Sequence, residues 1–302
     1  MPAPPGDFVL AFDLPQAGMR GRLVRFDAVS ARTLEAHALP EAGARVAAET
    51  CVLATLLGSA LKLDGRLTVQ AKSDGPLDLV TADYYGATSE RGIGVRAYAR
   101  LDEQRFAALR QVAPSFADLA GKGVAAITIE PERGSQTYQG IVELSDHGVA
   151  ATAEAYFAQS EQLPTVVRLA AAPLFQPGDP RPRWRAGGIM LQATPEARID
   201  PDDWERLSLF LGTLEDFELV DVELAAEALL WRLFHEDEIR VHTAETVVFH
   251  CGCDRGRIAS VLKAYSPREL DGLADADGII RAKCEFCGTV HEVAPGELLA
   301  TP

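Results

Sequence analysis

The chain carries two short cysteine motifs near its C-terminal end, Cys251-Gly-Cys253 and Cys284-Glu-Phe-Cys287-Gly288, with 30 residues between them. Zinc takes four thiolate ligands tetrahedrally, and two short-spaced pairs that folding brings together supply this geometry. Gly288 permits a turn in which backbone N–H groups point at a sulfur. We therefore predict that Cys251, Cys253, Cys284 and Cys287 bind one Zn²⁺ per chain as thiolates.

Other uses of the cysteines fit the spacing less well. An iron–sulfur cluster is the main metal alternative, but its usual runs of closely spaced cysteines are absent. The fifth cysteine, Cys51, stands alone in an Ala/Leu-rich segment and is predicted to be buried and inert. His242, His250 and His291 flank the cysteine pairs. Because four thiolates saturate a zinc ion, we interpret these histidines as surface groups or neighbours of the ligands.

Spacing alone leaves two types of zinc site open, a structural one and a redox-active one. Four protein ligands leave no open position for water, which disfavours hydrolytic catalysis. A purely structural zinc module remains an alternative. Two features favour a redox role, because Cys-Gly-Cys is unusual in a structural site and both pairs are close enough to close as local disulfides. Arg255, Arg257, Arg281 and Lys283 neighbour the cysteines in sequence, and nearby positive charge keeps thiolates reactive.

Residues 1–190 are predicted to form an α+β core domain. Strands and helices alternate too irregularly for a βαβ series. Pattern and turn residues predict strands at Phe8–Asp13, Gly21–Asp27, Leu67–Ala71, Leu77–Tyr84, Ile93–Arg100, Val124–Glu130 and Tyr138–Leu144, and helices at Glu41–Leu63 and Ala151–Ser160.

Residues 191–240 are predicted to form an acidic helical linker. Positions 196–240 hold 14 Asp and Glu against 4 Arg, a balance of −10. Asp200 is predicted to cap a helix that begins with Pro201, and Asp221 to start a second helix through Glu236. The apolar face of the second helix needs a packing partner. We expect that four of its residues pack on the core domain: Leu229, Leu230, Leu233 and Phe234.

Residues 241–302 are predicted to form a small zinc-binding redox-switch module. A strand at Glu245–His250 leads into Cys251, and Ser266 with Glu269 forms a capping box. Ile279–Lys283 and Thr289–Val293 are predicted to flank the second cysteine pair as a short hairpin.

Composition excludes several functions. The chain has 302 residues, a formal net charge of −15 and a pI near 4.9, so neither nucleic acid nor an anionic membrane is an expected partner. Residues 1–7 lack the basic and apolar regions of a secretory signal, so a cytoplasmic location is expected. No phosphate-binding loop or Ser-His-Asp arrangement is recognisable. We therefore expect no enzyme activity and no use of ATP.

The cysteine pattern, together with the segment Leu229-Leu-Trp-Arg-Leu-Phe-His-Glu236, resembles the 33 kDa chaperonin family of redox-regulated bacterial chaperones across nearly the whole chain. Tyr156-Phe-Ala-Gln-Ser-Glu-Gln162 and Ala186-Gly-Gly188 with Gln192 support the resemblance. Two positions depart from the family pattern: Asp254 replaces a common serine, and Val290-His291 replaces a common aromatic residue. Both departures leave the ligands in place.

The resemblance implies an ATP-independent holdase that is inactive while reduced and zinc-bound. Oxidation would expel zinc, form two disulfides, unfold the C-terminal part and expose a surface for unfolded client proteins, and the active form would be a homodimer. Because each pair is local, we expect Cys251 to join Cys253 and Cys284 to join Cys287, with Cys51 left reduced. The alternative hypothesis is an enzyme or binding protein with an active site in residues 1–190 and a purely structural zinc module.

Overall fold

The structure is a computed structural model that describes residues 6–86, 92–132, 136–175, 178, 182–194, 199–221 and 223–299. The strands are β1 (Phe8–Leu14), β2 (Met19–Phe26), β3 (Gly65–Ser73), β4 (Leu77–Tyr85), β5 (Ile93–Leu101), β6 (Gly123–Pro131), β7 (Tyr138–Glu143), β8 (Thr165–Leu174), β9 (Arg183–Ala193), β10 (Arg240–Val241), β11 (Glu245–Phe249), β12 (Ile280–Lys283) and β13 (Val290–Val293). The helices are α1 (Ala28–Glu35), α2 (Glu41–Ala60), α3 (Glu103–Ala108), α4 (Phe116–Ala120), α5 (Val149–Tyr156), α6 (Pro201–Gly212), α7 (Asp216–Val220), α8 (Ala226–Phe234), α9 (Arg255–Leu262), α10 (Pro267–Leu273) and α11 (Pro295–Leu299). A π-helical turn, Phe157–Glu161, continues α5. None of the helices in these ranges combines the length and apolarity that crossing a membrane requires.

One curled sheet organises the chain. Its strand order is β7-β6-β3-β4-β5-β11-β1-β2-β9-β8, and β10 pairs with β1. β11 runs parallel to β5 and antiparallel to β1, so it joins the two halves of the sheet. The α+β prediction is confirmed. The strand that leads into the first cysteine pair is therefore hydrogen-bonded within this sheet.

The long helix α2 forms the core on one face of the sheet. Its Ala- and Leu-rich sequence favours a helix, and Val52, Leu53 and Leu56 are at most 2% exposed. The hydroxyl groups of Thr50 and Thr55 donate to the carbonyls of Val46 and Cys51 four residues earlier, which satisfies polar groups inside the apolar layer. The predicted helix at Glu41–Leu63 is thus confirmed to within a few residues.

The linker helices cover the opposite face of the sheet. Successive side chains of a strand point to opposite faces, and in β9 Met190 joins the α2 core while Ile189 and Leu191 join a second core with the linker helices. Gly187 permits this packing, because a Cβ there would lie 2.3 Å from the carbonyl oxygen of Leu219 in α7. The expectation that Leu229, Leu230, Leu233 and Phe234 pack on the core domain is confirmed, since they belong to the second core.

The predicted helix from Asp221 to Glu236 is wrong in its first part. α7 ends at Val220, and the extended backbone of Asp221 follows it. The Asp221 side chain accepts a hydrogen bond from the backbone N–H of Glu223, so it starts a turn, and α8 begins only at Ala226. Val222, an apolar residue of the predicted helix, lies outside the described residues. The prediction for Pro201 is confirmed, because Asp200 accepts from the N–H of Asp202 at the start of α6.

Several elements escaped the sequence patterns. β8 and β9 form the sheet edge beside β2, yet their Gly- and Ala-rich sequence hides the alternation of a strand. The short helices α1 and α9 also lacked a long periodic pattern. The predicted helix at Ala151–Ser160 divides into α5 and the π-helical turn, which ends at Gln162 in the left-handed region with φ 53°.

Candidate metal centre

The four clustered cysteines meet in space. Cys251 follows β11 and Cys253 precedes α9, while the hairpin β12–β13 carries Cys284 and Cys287. The Sγ atoms of Cys251 and Cys284 are 3.7 Å apart, and those of Cys253 and Cys287 are 3.4 Å apart. All four Sγ atoms lie within 4.8 Å of one another, and each residue is half-buried. This arrangement could hold a metal ion.

The turn at the second cysteine pair directs both thiols towards the cluster. Gly288 has φ 71°, a left-handed conformation that favours glycine, and its N–H donates to the carbonyl of Cys284 at 2.8 Å. The backbone N–H groups of Phe286 and Cys287 point at the sulfur of Cys284. The predicted hairpin and its turn are confirmed. The sequence Cys-Glu-Phe-Cys-Gly therefore folds into a loop that offers both thiols and backbone donors to one point.

The thiols differ in acidity. Burial raises the pKa of Cys253 and Cys284, and contacts with the other thiols add to the rise. Burial also acts to raise the pKa of Cys287, but hydrogen bonds from the Thr289 hydroxyl and backbone N–H outweigh it and lower this pKa to about 6. The Cys287 Sγ lies 3.2 Å from the Thr289 hydroxyl. Cys287 therefore ionises more readily than Cys253 or Cys284.

Two of the four basic residues that neighbour the cysteines in sequence bind other groups of the module. Arg255 bonds to the Glu292 carbonyl and pairs with Glu297, and Arg281 pairs with Asp275, Asp277 and Glu292. These two guanidinium groups therefore neutralise carboxylates of the module. A cation that does contact a sulfur is Arg96 of β5, whose Nη1 lies 3.7 Å from the Sγ of Cys251. It lies 155 residues away in sequence, so no local pattern could reveal it.

The flanking histidines take three different positions. His291 Nε2 lies 3.4 Å from the Sγ of Cys253, so this departure from the family pattern contacts a thiol. His242 pairs with Asp13, and His250 packs edge-on against Tyr85. Asp254, the other departure, caps α9 by accepting from the N–H of Arg257. Both unusual residues thus have local roles beside the first cysteine pair.

The donor set fits a tetrahedral ion that prefers sulfur. Two thiolates on a zinc ion with bonds of about 2.3 Å are about 3.8 Å apart, and the separations of 3.4 and 3.7 Å are close to this value. Four thiolates leave no position for a reacting water. Cys51 is remote from this centre: it is 2% exposed within the α2 core, and burial raises its pKa. The predicted inertness of Cys51 agrees with this position.

The chain thus combines a sheet that carries helices on both faces with four clustered thiols that could hold a metal ion. The model of the family described as Hsp33 protein matches residues 7–294. The chain belongs to the Hsp33 family.

Curated relatives agree with this assignment. The 33 kDa chaperonin of Caulobacter vibrioides is 37% identical over 294 residues, which cover 96% of this chain and 95% of the relative. The 33 kDa chaperonin of Escherichia coli (strain K12 / DH10B) is 36% identical over 270 residues, with 89% and 86% covered. The crystal structure of the 33 kDa chaperonin (heat shock protein 33 homolog) of Thermotoga maritima has a TM-score of 0.75 at 20% identity and covers 96% of each chain, which supports the fold. The family and these names support a chaperone.

The other segments that carried the resemblance lie away from the cysteines. Leu229–Glu236 lies largely in α8 against the sheet. Tyr156–Gln162 forms the end of α5 and the π-helical turn, and the Tyr156 hydroxyl donates to Glu161. Gln192 of β9 accepts a hydrogen bond from Arg20 of β2. These residues stabilise the core domain and its linker and take no part in the metal centre.

Proposed function

We propose that this chain is a redox-regulated, ATP-independent holdase that binds unfolding client proteins under oxidative stress. The observation that carries the proposal is the cluster of four half-buried thiols at the junction between the sheet and a very small module. In the reduced form Cys251, Cys253, Cys284 and Cys287 would hold one Zn²⁺, and the protein would be inactive. A cytoplasmic location belongs to the same proposal, because that compartment keeps thiols reduced until stress.

Oxidation would convert the ligands into disulfides. A peroxide is the oxidant class that suits the chemistry: two thiolates, one hydrogen peroxide and two protons give one disulfide and two waters. The two sulfurs lose two electrons, which the peroxide oxygens accept. Two such reactions, Cys251 with Cys253 and Cys284 with Cys287, consume all four thiolates and leave the metal without ligands. Cys51 stays reduced because burial raises its pKa and shields it.

Peptide mapping of the oxidised protein tests this pairing. In the folded cluster the Sγ contacts run between the pairs, from Cys251 to Cys284 and from Cys253 to Cys287. Bridges formed within the folded module would follow these contacts, whereas bridges formed as the module opens would be local. We expect the local bridges. Mostly long-range bridges, or consumption of Cys51, would contradict the proposal.

The energy of the module explains why metal loss would unfold it. A structural zinc supplies roughly 10–16 kcal/mol of apparent binding free energy at neutral pH, while a whole domain is stable by only about 5–15 kcal/mol. The core of the module consists of Leu262, Leu270, Ile280, Val293 and Leu298. A core of this size cannot replace the lost metal, so the oxidised module would be disordered.

The linker would then supply the client-binding surface. Its outer side already exposes Leu209, Phe217 and Trp231, each 64% exposed. Release of α8 would add the buried residues Leu230 and Phe234, and the many acidic residues would keep the complex with a client soluble. Association of two such exposed surfaces would give the homodimer expected of the active form.

Light scattering of an unfolding client tests the function directly. Protein treated with peroxide should suppress aggregation without ATP, whereas the reduced zinc-loaded protein should not. The variant Cys51→Ala should behave as the parent chain does, because Cys51 lies outside the cluster. Equal activity of the reduced and oxidised forms would exclude a redox switch, and no activity in either form would exclude a holdase.

An apolar cavity bears on the alternative of an active site in residues 1–190. A largely apolar cavity of about 290 Å³ lies beside the π-helical turn and is lined in part by Leu57, Ile129 and Tyr156. The two tyrosine hydroxyls there, of Tyr138 and Tyr156, donate to Glu161, so these groups satisfy one another. The arrangement offers no activated nucleophile, and the chaperone remains the function that the chain supports best.

A further inference from the structure

Arg96 stands at the boundary between the sheet and the cysteine module. On its inner side Nη2 lies 2.7 Å from Asp83 Oδ2, and the Asp83 side chain is only 5% exposed. Asp83 also accepts hydrogen bonds from the Thr68 hydroxyl at 2.6 Å and from the Tyr85 hydroxyl at 3.3 Å. Three donors on β3, β4 and β5 therefore fix this carboxylate, and the carboxylate fixes the guanidinium plane.

The outer side of the same guanidinium faces the module. Its carbon lies 3.8 Å from the centre of the Phe286 ring, and its Nη1 lies 3.7 Å from the Sγ of Cys251. Phe286 also approaches Tyr98 of β5, with ring centres 6.1 Å apart. Phe286 stands between Cys284 and Cys287 in sequence. One side chain of the sheet thus contacts a residue of each cysteine motif, Cys251 in the first and Phe286 in the second.

We propose that Arg96 is a positioning residue that docks the reduced module on the sheet, with Phe286 as its counterpart in the second cysteine motif. This inference rests on the proposed redox switch and names the contact through which the state of the thiols reaches the core domain. A guanidinium suits the task because it can hydrogen-bond in its plane and stack an aromatic ring on its face at once. The contacts with Asp83, Phe286 and Cys251 use both capacities.

The docking contact explains how oxidation would be transmitted. A disulfide between Cys251 and Cys253 removes the sulfur from Arg96, and a disulfide between Cys284 and Cys287 rearranges the turn that presents Phe286. The stack then loses both of its anchors while Arg96 stays with Asp83. Conversely, a docked Phe286 keeps the turn in its reduced shape and slows the attack of an oxidant.

Variants of Phe286 test the proposal with the least risk to folding, because the side chain is only half-buried. Phe286→Leu keeps apolar bulk but removes the ring, and Phe286→Tyr keeps the ring. In reduced, zinc-loaded, full-length protein, Phe286→Leu should release zinc to a chromogenic chelator on peroxide treatment about fivefold faster than the parent. Phe286→Tyr should stay within about twofold. Equal rates for Leu and Tyr would overturn the proposal.

Variants of Arg96 supply a second test in the same zinc-release experiment. Arg96→Lys keeps the charge beside Asp83 but loses the planar stack, so it should accelerate release by a similar factor. The double variant Arg96→Lys with Phe286→Leu should release zinc no faster than the faster single variant. The reason is that both substitutions remove the same contact, the stack of Arg96 on Phe286. Arg100→Lys is the matched control: Arg100 lies on the same strand, pairs with Asp78 and should leave the rate unchanged. Multiplication of the two single effects would overturn the proposal.

Hydrogen exchange separates this inference from the proposed function. In the reduced protein, Phe286→Leu should lose protection in residues 280–293, and Phe286→Tyr should retain it. Unchanged protection in Phe286→Leu would refute the docking role even if peroxide activates the chain. Conversely, a parent protein that keeps zinc and stays inactive under peroxide would refute the redox function, while the exchange pattern would still decide the docking contact.

Discussion

The linker helices and the cysteine module are attached to the same sheet by different forces. The linker buries Leu211, Leu229 and Phe234 completely in a core that it shares with β1, β2 and β9. The module has a small core of its own, and its contacts with the sheet include the pairing of β11 and side chains around Arg96. Apolar burial therefore stabilises the linker, whereas coordination of a metal by the four thiols and the proposed docking contact would stabilise the module.

This difference sharpens the proposed coupling. The shared core of the linker contains no residue of the module beyond Ala244 among the described residues. The segment between the linker and the module is instead fixed to the sheet by two contacts. β10 pairs with β1, and His242 pairs with Asp13. Loss of the module would thus act on the linker by removing its anchored C-terminal end, and the linker core would have to open as a consequence.

Loss of a thiolate ligand should have the largest effect. Cys287→Ser or Cys251→Ser should greatly weaken zinc binding and unfold the module, since roughly 10–16 kcal/mol of metal binding stabilises such sites. Metal analysis of the purified reduced protein measures the zinc content, and Cys51→Ala serves as the control with one zinc per chain. Full occupancy in single serine variants of all four cysteines would refute the site.

Oxidation should next remove order from the linker as a whole. Hydrogen exchange of the oxidised protein should show lost protection in residues 196–240 as well as in residues 241–302, while α2 and its strands stay protected. The reason is that isolated helices of this length are marginal in water. A linker that stays protected while holdase activity is full would contradict the proposed coupling between the module and the linker. Clients would then have to bind another surface.

A substitution inside the linker core should weaken the packing of the linker on the sheet without changing metal binding. Leu230→Ala removes a side chain with no exposure and should cost about 2–5 kcal/mol. The neighbouring Trp231→Ala, at a residue 64% exposed, should cost about 0.5 kcal/mol or less. Urea unfolding measures both, and zinc content should stay at one per chain. We expect partial activity of Leu230→Ala in the reduced state, and its absence would show that α8 is not part of the switch.

The smallest effect concerns pH. Burial raises the pKa of Glu49 in α2 from 4.5 to about 8, Arg45 opposes the rise, and Asp216 of α7 adds to it. Because the folded protein binds the proton more tightly, the stabilisation is complete below about pH 4.5 and is lost as the pH rises towards 8. Through this one group the free energy of unfolding changes by at most about 1.4 kcal/mol per pH unit. Glu49→Gln should flatten this pH dependence in urea unfolding, whereas Glu41→Gln, at the exposed start of α2, should not.

Local signals explain which parts of the fold were predictable. The helix α2, the cap at Asp200 and the hairpin β12–β13 follow from periodicity, capping and turn residues that lie within a few positions of one another. The helix proposed from Asp221 failed because the aspartate side chain bonds to the N–H of Glu223 and forms a turn, which competes with a helix start. The strand β9 was hidden because Gly187 and Gly188 serve close packing with other elements.

The sequence by itself determined the chemistry of this protein: four cysteines at a spacing that suits one metal, an acidic linker with an apolar face, and a family resemblance that the comparisons confirm. Ligand pairs and amphipathic helices are short-range patterns, so the chain order records them. Only the tertiary structure decided that β11 joins the two halves of the sheet and that Arg96 lies against both Cys251 and Phe286. Those contacts join residues far apart in the chain, and their geometry depends on strand order and register, which no local pattern encodes.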